Sequence, residues 1–509
     1  MLSIKCLGRF IVTDWLLVLG ACGGDGGSSG SSNAPTTTTV AAPVPVSVLT
    51  YHYDNSRSGW SDTERTLTPA NVSSASFGVK RTVALDDQVD GQPLVVSGLT
   101  TVGGHATNGD DVVYVATEND TVYAIDGATG TVLASRNLGT PIVNPLGCHN
   151  NGANVGINST PVIDPATKTI YVMAYVSENG APAYRLHAMD VTTLQDTATT
   201  LVAASHSLTS GKAYVFDATV QRQQAALLVE NGIVYASFAS FCDYAANRSR
   251  GWILGWSTGS LTPLAANRLI NAQETGEFYL SSIWMSGSGL ASYKGDIVAV
   301  TGNSNPNGTS YNANGGTNYA ESIIRVAPDL SKVVDWFTPS NLAYLESVDY
   351  DFGAGGIVLL PGTFSSAGSS IGVGAAAGKD GTLYAVNMDS LGHGGPVPAS
   401  PAPIGTAQIG FCWCTQSAFV GQHGATIVSS GGGNGQLGNG QSPGPQPTAP
   451  EMVQLWAVPA TVSAGGAALT NVGTSQDLSG TPQDGGFFTS VSSLKSNNVI
   501  IWALTRPAG

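Results

Sequence analysis

Four cysteines in the body of the chain are the side chains best suited to covalent chemistry. They are Cys148, Cys242, Cys412 and Cys414, and the last two flank Trp413. On a β-strand, Cys412 and Cys414 would face the same side with Cα atoms about 6.5 Å apart, near the upper limit for a disulfide. They pair either with each other or with Cys148 and Cys242, and the spacing leaves both connectivities open.

A second group of candidates is polar and lies in predicted loops. These residues are His149, Asn150 and Asp351. Side chains of these types can line a cofactor-binding site. The alternative interpretation is that they only satisfy backbone groups of their own loops. They are weak cofactor-binding candidates, and no residue is assigned a catalytic role.

Other strings resemble catalytic or cofactor motifs without the necessary context. Gly255–Gly259 reads Gly-x-Ser-x-Gly, but a nucleophile elbow needs a strand, a turn and a helix, and this string is predicted to be a hairpin turn. Gly372–Gly378 resembles a dinucleotide fingerprint but opens no helix, and its small residues predict a strand in a crowded sheet. The seven histidines lack zinc-site spacing, and no Cys-x-x-Cys-His haem site occurs. The sequence therefore predicts no metal site and no haem.

The composition restricts the elements that could position such side chains. The 509 residues include 64 glycines, 42% hydrophobic residues and only 11% charged residues. Apolar material is ample, which excludes a charged disordered chain, and the scarcity of Glu, Lys and Arg disfavours long helices. The net charge of -14 repels phosphate backbones, so nucleic acid is not an expected partner.

The N-terminus resembles an export signal. Lys5 and Arg9 precede a short apolar stretch, and Leu19–Cys22 resembles a bacterial lipobox, in which Cys22 would carry the lipid anchor. Asp14 interrupts the apolar stretch, and export without lipidation is the alternative.

The residues around this site predict a lipoprotein signal peptide over 1–21 and a flexible Gly/Ser/Thr tether over 22–45. Gly23, rather than Asp, follows the predicted lipidated cysteine, which favours the outer membrane in lipoproteins of this kind. The expected location is the cell envelope of a Gram-negative bacterium, as an outer membrane lipoprotein facing the periplasm or the exterior.

A repeat runs through the remaining chain. Alternating apolar strands, each preceded by another strand and a turn rich in Asn, Asp or Gly, recur every 60 to 72 residues. The markers end at Asp126, Asp190, Ser257, Ala327, Asn387 and Pro459. Each unit holds four short strands, which is the composition of a propeller blade.

The repeat also resembles a known family. Val113–Gly130 and Gly378–Asn387 resemble the repeat of the pyrroloquinoline-quinone (PQQ)-like β-propellers. Tyr51–Arg57 and Asp351–Gly356 resemble segments of exported bacterial propellers that have no settled activity. In the true PQQ enzymes that carry this repeat, the quinone lies over a disulfide of adjacent cysteines and a Trp, and Glu, Asn and Asp bind Ca²⁺. The resemblance therefore implies a site of this kind only where those residues are present. The sequence contains no Cys-Cys pair.

The predicted fold is all-β: a β-propeller of four-stranded antiparallel blades, seven or eight in number, over residues 46–509. A disordered insertion is expected at about 431–450, where Pro and Gly are frequent. Val499–Leu504 is expected to be the penultimate strand of a seventh blade. Either Val46–Tyr53 supplies the missing strand, or the last part of the ring is missing and leaves an open edge.

Two functions follow as expectations. The first is an exported, lipid-anchored, non-catalytic module that binds an envelope protein or a small ligand. The alternative is a periplasmic oxidoreductase of the alcohol or sugar dehydrogenase type that depends on PQQ and Ca²⁺. The repeat supports both, and the missing cysteine pair favours the first.

Overall fold

The structure is a computed structural model of the chain. It describes residues 46–74, 77–107, 109–148, 152–274, 278–432, 451–463, 469–476, 478 and 485–504. The predicted signal peptide, the tether, and nearly all of the predicted insertion lie outside the described residues. His149 and Asn150 also lie outside them.

Seven sheets carry the fold within the described part of the chain, and six of them contain four consecutive antiparallel strands. Sheet 1 comprises Leu94–Val96, Val112–Ala116, Thr121–Asp126 and Val132–Asn137. Sheet 2 comprises Val162–Asp164, Thr169–Glu178, Ala181–Asp190 and Asp196–Leu201. Sheet 3 comprises Leu228–Glu230, Ile233–Ser240, Trp252–Ser257 and Arg268–Leu269, with Gln221–Arg222 pairing to its second strand.

The remaining sheets follow the same order. Sheet 4 comprises Ala291–Tyr293, Asp296–Val300, Ile323–Val326 and Val333–Thr338, with His393–Gly394 added in parallel. Sheet 5 comprises Ile357–Leu359, Val373–Ala377, Thr382–Asn387 and Gly405–Gln408. Sheet 6 comprises Ser417–Gly421, Gly424–Gly431, Met452–Ala457 and Thr470–Thr474. Sheet 7 comprises Trp60–Ser61, Phe488–Leu494 and Asn497–Leu504.

Short elements connect these sheets. The small hairpins and added strands are Thr101–Val102 with His105–Ala106, Ile142–Val143 with Asn154–Val155, Ser205–Ser207 with Ala213–Val215, and Phe364–Ser366 with Ser369–Ile371 and Thr461–Val462. The α-helices are Pro69–Val72 and Leu342–Val348. The 3-10 turns are Pro145–Gly147, Met285–Gly287 and Phe352–Ala354.

Sheet 1 shows why the repeated sequence forms hairpins. Its second and third strands alternate β-branched and aromatic residues, which pack well on a pleated surface. The turn between them places Asp120 at a φ of +54°, a left-handed conformation that Asp tolerates. The amide of Asp120 donates to the carbonyl of Thr117 at 3.0 Å and closes the turn. The predicted all-β propeller with four-stranded antiparallel blades is confirmed, and the number of blades stays a prediction.

Sheet 7 corrects one alternative for the last blade. In one of the two alternatives Val46–Tyr53 completes this blade, but Val48 bridges to Val95 of sheet 1 instead. Trp60–Ser61 is the early strand that joins sheet 7, in parallel with Phe488–Leu494. The difference arises because the chain turns over residues 52–57 before it reaches sheet 7, which a pattern of apolar residues does not indicate.

The hydrophobic core lies between the sheets. Trp252 and Trp256 of sheet 3 are completely buried, with 0% and 1% of their surface exposed. The first strands of sheets 2 to 6 lie innermost: those of sheets 2 and 3, 4 and 5, and 5 and 6 contact one another, and Ala226 bridges to Gly289 just before the first strands of sheets 3 and 4. The Gly372–Gly378 string forms the buried second strand of sheet 5, Val373–Ala377, as a strand of small residues that packs closely. The Gly255–Gly259 string ends a strand and forms a turn, as predicted.

Gly353 is a position where close packing demands glycine. A Cβ at Gly353 would lie 2.4 Å from the carbonyl carbon of Thr301 and 2.5 Å from the amide nitrogen of Gly302. The turn Phe352–Ala354 can therefore approach the loop after the second strand of sheet 4 only without a side chain.

We expect Gly353→Ala to lower the free energy of unfolding by about 1–3 kcal/mol, because backbone atoms must move to admit the methyl group. Denaturant unfolding followed by Trp fluorescence measures the change. Gly259→Ala is the matched control, since nothing lies within 4 Å of a Cβ there. Equal effects of the two substitutions would contradict the packing argument.

Candidate functional site

Ionisable side chains collect at one end of the propeller axis. Among them, Asp243 follows the second strand of sheet 3, Lys379 follows that of sheet 5, and Glu321 precedes the third strand of sheet 4. Helix Leu342–Val348 and the turn after it bring in the rest. We call this group the carboxylate–lysine cluster: Asp243, Glu321, Glu346, Asp349, Asp351 and Lys379. The end of the axis that carries it is called the cluster face.

Lys379 and Asp351 form the central ion pair. Lys379 Nζ lies 2.5 Å from Asp351 Oδ2, and the side chains are 8% and 5% exposed. Nζ also donates to the backbone carbonyl of Asp349 at 2.9 Å. Burial alone would lower the pKa of Lys379, but the charges of Asp351 and Asp349 outweigh it and raise the pKa. The lysine is therefore held as a buried cation.

The other oxygen of Asp351 reaches a neighbouring loop. Asn303 donates its backbone N–H to Asp351 Oδ1 at 2.9 Å, and its Nδ2 donates to Asp349 Oδ1 at 2.8 Å. Asn303 Oδ1 is buried without a hydrogen-bond partner. A buried acceptor without a donor costs free energy, so this amide oxygen is suited to a ligand.

Glu321 lies beneath this loop and is completely buried. Its Oε2 accepts from the backbone N–H of Phe352 at 2.6 Å, whereas Oε1 is buried without a partner. Burial, reinforced by the charges of Asp351 and Glu346, raises the pKa of Glu321 well above its usual range. The backbone φ of Glu321 is +49°, a strained conformation of the kind that concentrates at functional sites.

Three further carboxyl groups have raised pKa values. Burial raises the pKa of Glu346 to about 8, although the amide of Ser304 donates to it at 2.9 Å. Burial, followed by the charge of Asp351, raises the pKa of Asp243 to about 7 and that of Asp349 to about 6. One lysine does not neutralise five carboxyl groups, so the cluster holds protons at neutral pH.

The disulfides resolve the connectivity that the sequence left open. Cys148 pairs with Cys242, with Cα atoms 5.7 Å apart, and Cys412 pairs with Cys414, with Cα atoms 5.0 Å apart. Pairing between the two sets, one of the two predicted alternatives, is wrong. Residues 412–414 form a bend rather than a strand, which brings their Cα atoms closer than the expected 6.5 Å.

The Cys148–Cys242 disulfide lies beside the cluster, because Cys242 immediately precedes Asp243. Cys148 is buried and Cys242 is exposed, and both Cys242 and Asp243 have positive φ. Arg222 Nη1 lies 3.9 Å from Cys148 Sγ, and its Nε donates to Asn158 Oδ1 at 2.9 Å. The disulfide thus reaches solvent at the cluster face.

A second acidic group continues around the axis from Asn158. Asn158 Nδ2 donates to Glu118 Oε1 at 2.5 Å and to Asp90 Oδ2 at 2.8 Å. Glu118 Oε2 also accepts from the amide of Gly156 at 2.7 Å. Burial, with the nearby Asp90, raises the pKa of Glu118 well above its usual range.

The structure places one of the three predicted polar candidates at this site. Asp351 is buried at the centre of the cluster. It accepts from the backbone amide of Asn303, as a residue that satisfies loop backbone would, and it also pairs with Lys379, as a residue of a binding site would. Sequence reasoning missed Lys379, although a lysine in the hairpin turn after a repeat strand is notable among only 20 basic residues. It also missed Glu321 and Glu346, whose positions depend on chain connections between blades.

Other features of the described residues are less suited to chemistry. A cavity of about 490 Å³ lies between sheet 2 and the hairpin Ser205–Ser207 with Ala213–Val215. Its one carboxylate is that of Asp217, which already pairs with Arg248 at 2.6 Å. No group of three or more His, Cys, Asp or Glu within the described residues is arranged to hold a metal ion. No described helix is long and apolar enough to cross a membrane.

The disulfides predict unequal contributions to stability. Cys148–Cys242 closes a loop with a sequence separation of 94, whereas Cys412–Cys414 spans a separation of 2. By loop-closure entropy, the first should contribute about 4–5 kcal/mol and the second about 1.5 kcal/mol. We expect the double variant Cys148→Ser/Cys242→Ser to lower the denaturation midpoint more than Cys412→Ser/Cys414→Ser. An equal or reversed order would contradict the entropic account.

The raised carboxyl pKa values predict a pH dependence of stability. The folded state binds the Asp243 proton more tightly than the unfolded state, in which the pKa is near 3.8. Its contribution is therefore complete below about pH 3.8 and is lost as the pH rises towards about 7.

We expect Asp243→Asn to flatten the fall in unfolding free energy between pH 4 and 7, by at most about 1.4 kcal/mol per pH unit. Urea unfolding at several pH values measures the slope. Asp110→Asn, at an exposed carboxylate, is the control. An unchanged slope in Asp243→Asn would show that Asp243 is not a proton-holding group.

Comparison with known proteins identifies the fold. No protein-family model matches the chain, and no curated protein matches it. The quinohemoprotein alcohol dehydrogenase of Comamonas testosteroni superposes with a TM-score of 0.52 and 14% identity, over 89% of this chain and 75% of that enzyme. A europium-containing methanol dehydrogenase gives 0.51 and 14%, over 90% and 78% of the two chains.

A third structure is the quinohemoprotein alcohol dehydrogenase ADHIIG of Pseudomonas putida HK5, with a TM-score of 0.50 and 16% identity. The match covers 74% of this chain and about half, 49%, of that enzyme. Identities this low carry the fold and not the activity. The chain therefore has the β-propeller fold of the quinoprotein dehydrogenases, with an acidic cluster at one end of its axis.

Proposed function

We propose that the protein is an exported, lipid-anchored propeller that binds a small cationic or donor-rich ligand at the carboxylate–lysine cluster, without catalysing its conversion. The observation that carries this proposal is the charge imbalance of the cluster. Five carboxyl groups face one lysine, Asn303 Oδ1 is a buried acceptor without a donor, and Glu321 Oε1 is buried without a partner. A ligand with positive charge would take the place of the protons that these carboxyl groups hold, and a hydrogen-bond donor on it would satisfy Asn303 Oδ1.

The lipid anchor at Cys22 and the location at the outer membrane of a Gram-negative bacterium belong to this proposal. The lipobox resemblance of Leu19–Cys22 supports them. An envelope protein as partner is the other form of the binding function, and the acidic cluster favours the small ligand.

A second candidate is a PQQ- and Ca²⁺-dependent oxidoreductase. Oxygen ligands are those that Ca²⁺ prefers, and Asp243, Asn303 and Asp351 carry such oxygens. The described residues include no group of three or more His, Cys, Asp or Glu already arranged to hold a metal ion, so Ca²⁺ would require these side chains to rearrange. Bound PQQ would provide a two-electron acceptor for an alcohol. In this candidate Asp351 would accept the hydroxyl proton, although its two oxygens already contact Lys379 and the Asn303 amide.

The cysteines fit this candidate less well. The disulfide beside the cluster joins residues 94 apart in sequence rather than adjacent cysteines. Trp284 is a half-buried residue at the start of the 3-10 turn Met285–Gly287, which contacts the turn Phe352–Ala354. The absence of a disulfide between adjacent cysteines among the described residues favours binding without redox chemistry.

Titration of the purified protein separates the two candidates. Calorimetry with CaCl₂ alone should show binding that strengthens as the pH rises from 6 to 8, because a cation must displace protons from groups whose pKa values lie near 6 to 8. Asp243→Asn should weaken the affinity about tenfold or more, as loss of one charged ligand costs at least about 1.4 kcal/mol. Asp110→Asn is the control.

The same preparation is then mixed with PQQ and CaCl₂ and tested for a bound-quinone spectrum and for dye reduction with alcohols or sugars. Stoichiometric quinone with turnover would establish the oxidoreductase and overturn the leading proposal. Binding of Ca²⁺ without turnover supports the leading proposal. Absence of binding in both titrations would overturn the cluster as a cation site.

A further inference from the structure

Residues near the N-terminal end of the described chain run along the propeller axis. Residues 46–61, which we call the axial segment, hydrogen-bond to the innermost strand of each of the seven described sheets. The bonds are Val48 with Val95, Leu49 O with Ile163 N, Asn55 Nδ2 with Val229 O, Asn55 O with Ser292 N, Ser56 O with Leu359 N, Ser58 O with Ala418 N, and Gly59 O with Val491 N. One segment therefore occupies the centre of the ring.

Arg57 fixes this segment in place. Its guanidinium is completely buried and donates to the carbonyls of Leu290 at 2.9 Å, Leu227 at 3.1 Å and Tyr51 at 2.9 Å. It also donates to Thr50 Oγ1 at 2.6 Å. Burial lowers the pKa of Arg57 to about 10, so the group stays charged at neutral pH. Its hydrogen bonds to the carbonyls of Leu227 and Leu290 hold the axial segment against the first strands of sheets 3 and 4.

The segment enters the ring from the end opposite the cluster. Ser97 follows the first strand of sheet 1, and its Oγ donates to the carbonyl of Val46 at 3.2 Å. Val96 pairs with Val112, where the second strand of that sheet begins. Glu118 follows the end of that second strand and lies on the cluster face. Val46 and the cluster are therefore at opposite ends of the axis.

We propose that the cluster face is the membrane-distal face of the anchored protein, and that its ligand enters from the side turned away from the membrane. This inference rests on the proposed lipid anchor and ligand site. The 24 residues from Cys22 to residue 45 join the anchor to Val46. Because the anchor is joined to the chain at Val46, the face at which Val46 lies is the one attached to the bilayer. The axial segment occupies the centre of that face.

Fluorescent labels on the two faces test the orientation. Ala166→Cys places a label in the turn before the second strand of sheet 2, on the entry face, and Ala343→Cys places one on helix Leu342–Val348, on the cluster face. Both alanines are exposed, so labelling should leave the fold intact. The lipidated full-length variants are reconstituted into phosphatidylethanolamine and phosphatidylglycerol vesicles that contain an acceptor-labelled lipid headgroup.

We expect several-fold higher energy transfer from position 166 than from position 343, because strands of about six residues separate the faces by about 20 Å. Equal transfer, or higher transfer from position 343, would overturn the orientation. Cys22→Ala, which cannot be acylated, is the control and should abolish transfer from both positions. If the lipidated protein itself shows no transfer, the anchor is disproved. The assay contains no ligand, so its outcome is independent of the Ca²⁺ and PQQ titrations.

Discussion

The innermost strands must converge on one axis, and the rest of the structure depends on how their polar backbone is satisfied there. Backbone groups that lose water need protein partners. The axial segment provides them, because its backbone carbonyls and amides bond to strands of six of the seven described sheets, and the Asn55 side chain donates to the first strand of sheet 3. Arg57 adds four donated bonds at the centre. A single early segment thus links blades that are separated by hundreds of residues in the chain.

The same convergence creates the functional site. Loops that follow second strands meet at one end of the axis, so residues far apart in sequence become neighbours. Lys379 and Asp351 are brought to 2.5 Å, and Asn303 joins them from another sheet. Three of the five carboxyl groups are buried, namely Glu321, Glu346 and Asp351, and Asp243 and Asp349 are half-buried. Because one lysine cannot neutralise them, the site is acidic and retains protons. That imbalance is a property of the assembled ring and not of any one blade.

Much of the fold was predictable because each blade is encoded locally. Alternation of apolar residues over Val112–Ala116 and Thr121–Asp126, with Asn and Asp in the turn, specifies a hairpin in a stretch of about fifteen residues. The site was less predictable. Asp351 stood out from its motif, but the role of Glu321 depends on a chain connection that places its Oε2 against the amide of Phe352. The pairing of Cys412 with Cys414 depends on a bend in the chain, which brings their Cα atoms to 5.0 Å, closer than two such residues on an extended strand.

The sequence alone determined the class of fold, the blade-like repeat, and the surplus of acidic over basic residues, since these follow from local periodicity and composition. Only the tertiary structure decided which early segment pairs with sheet 7, which cysteines bond, and which carboxyl groups are buried together. Trp60–Ser61 rather than Val46–Tyr53 joins that sheet because Val48 first pairs with sheet 1 and the chain turns over residues 52–57 before it reaches sheet 7. Contacts of this kind depend on the arrangement of the blades around one axis, which brings together residues that no local pattern relates.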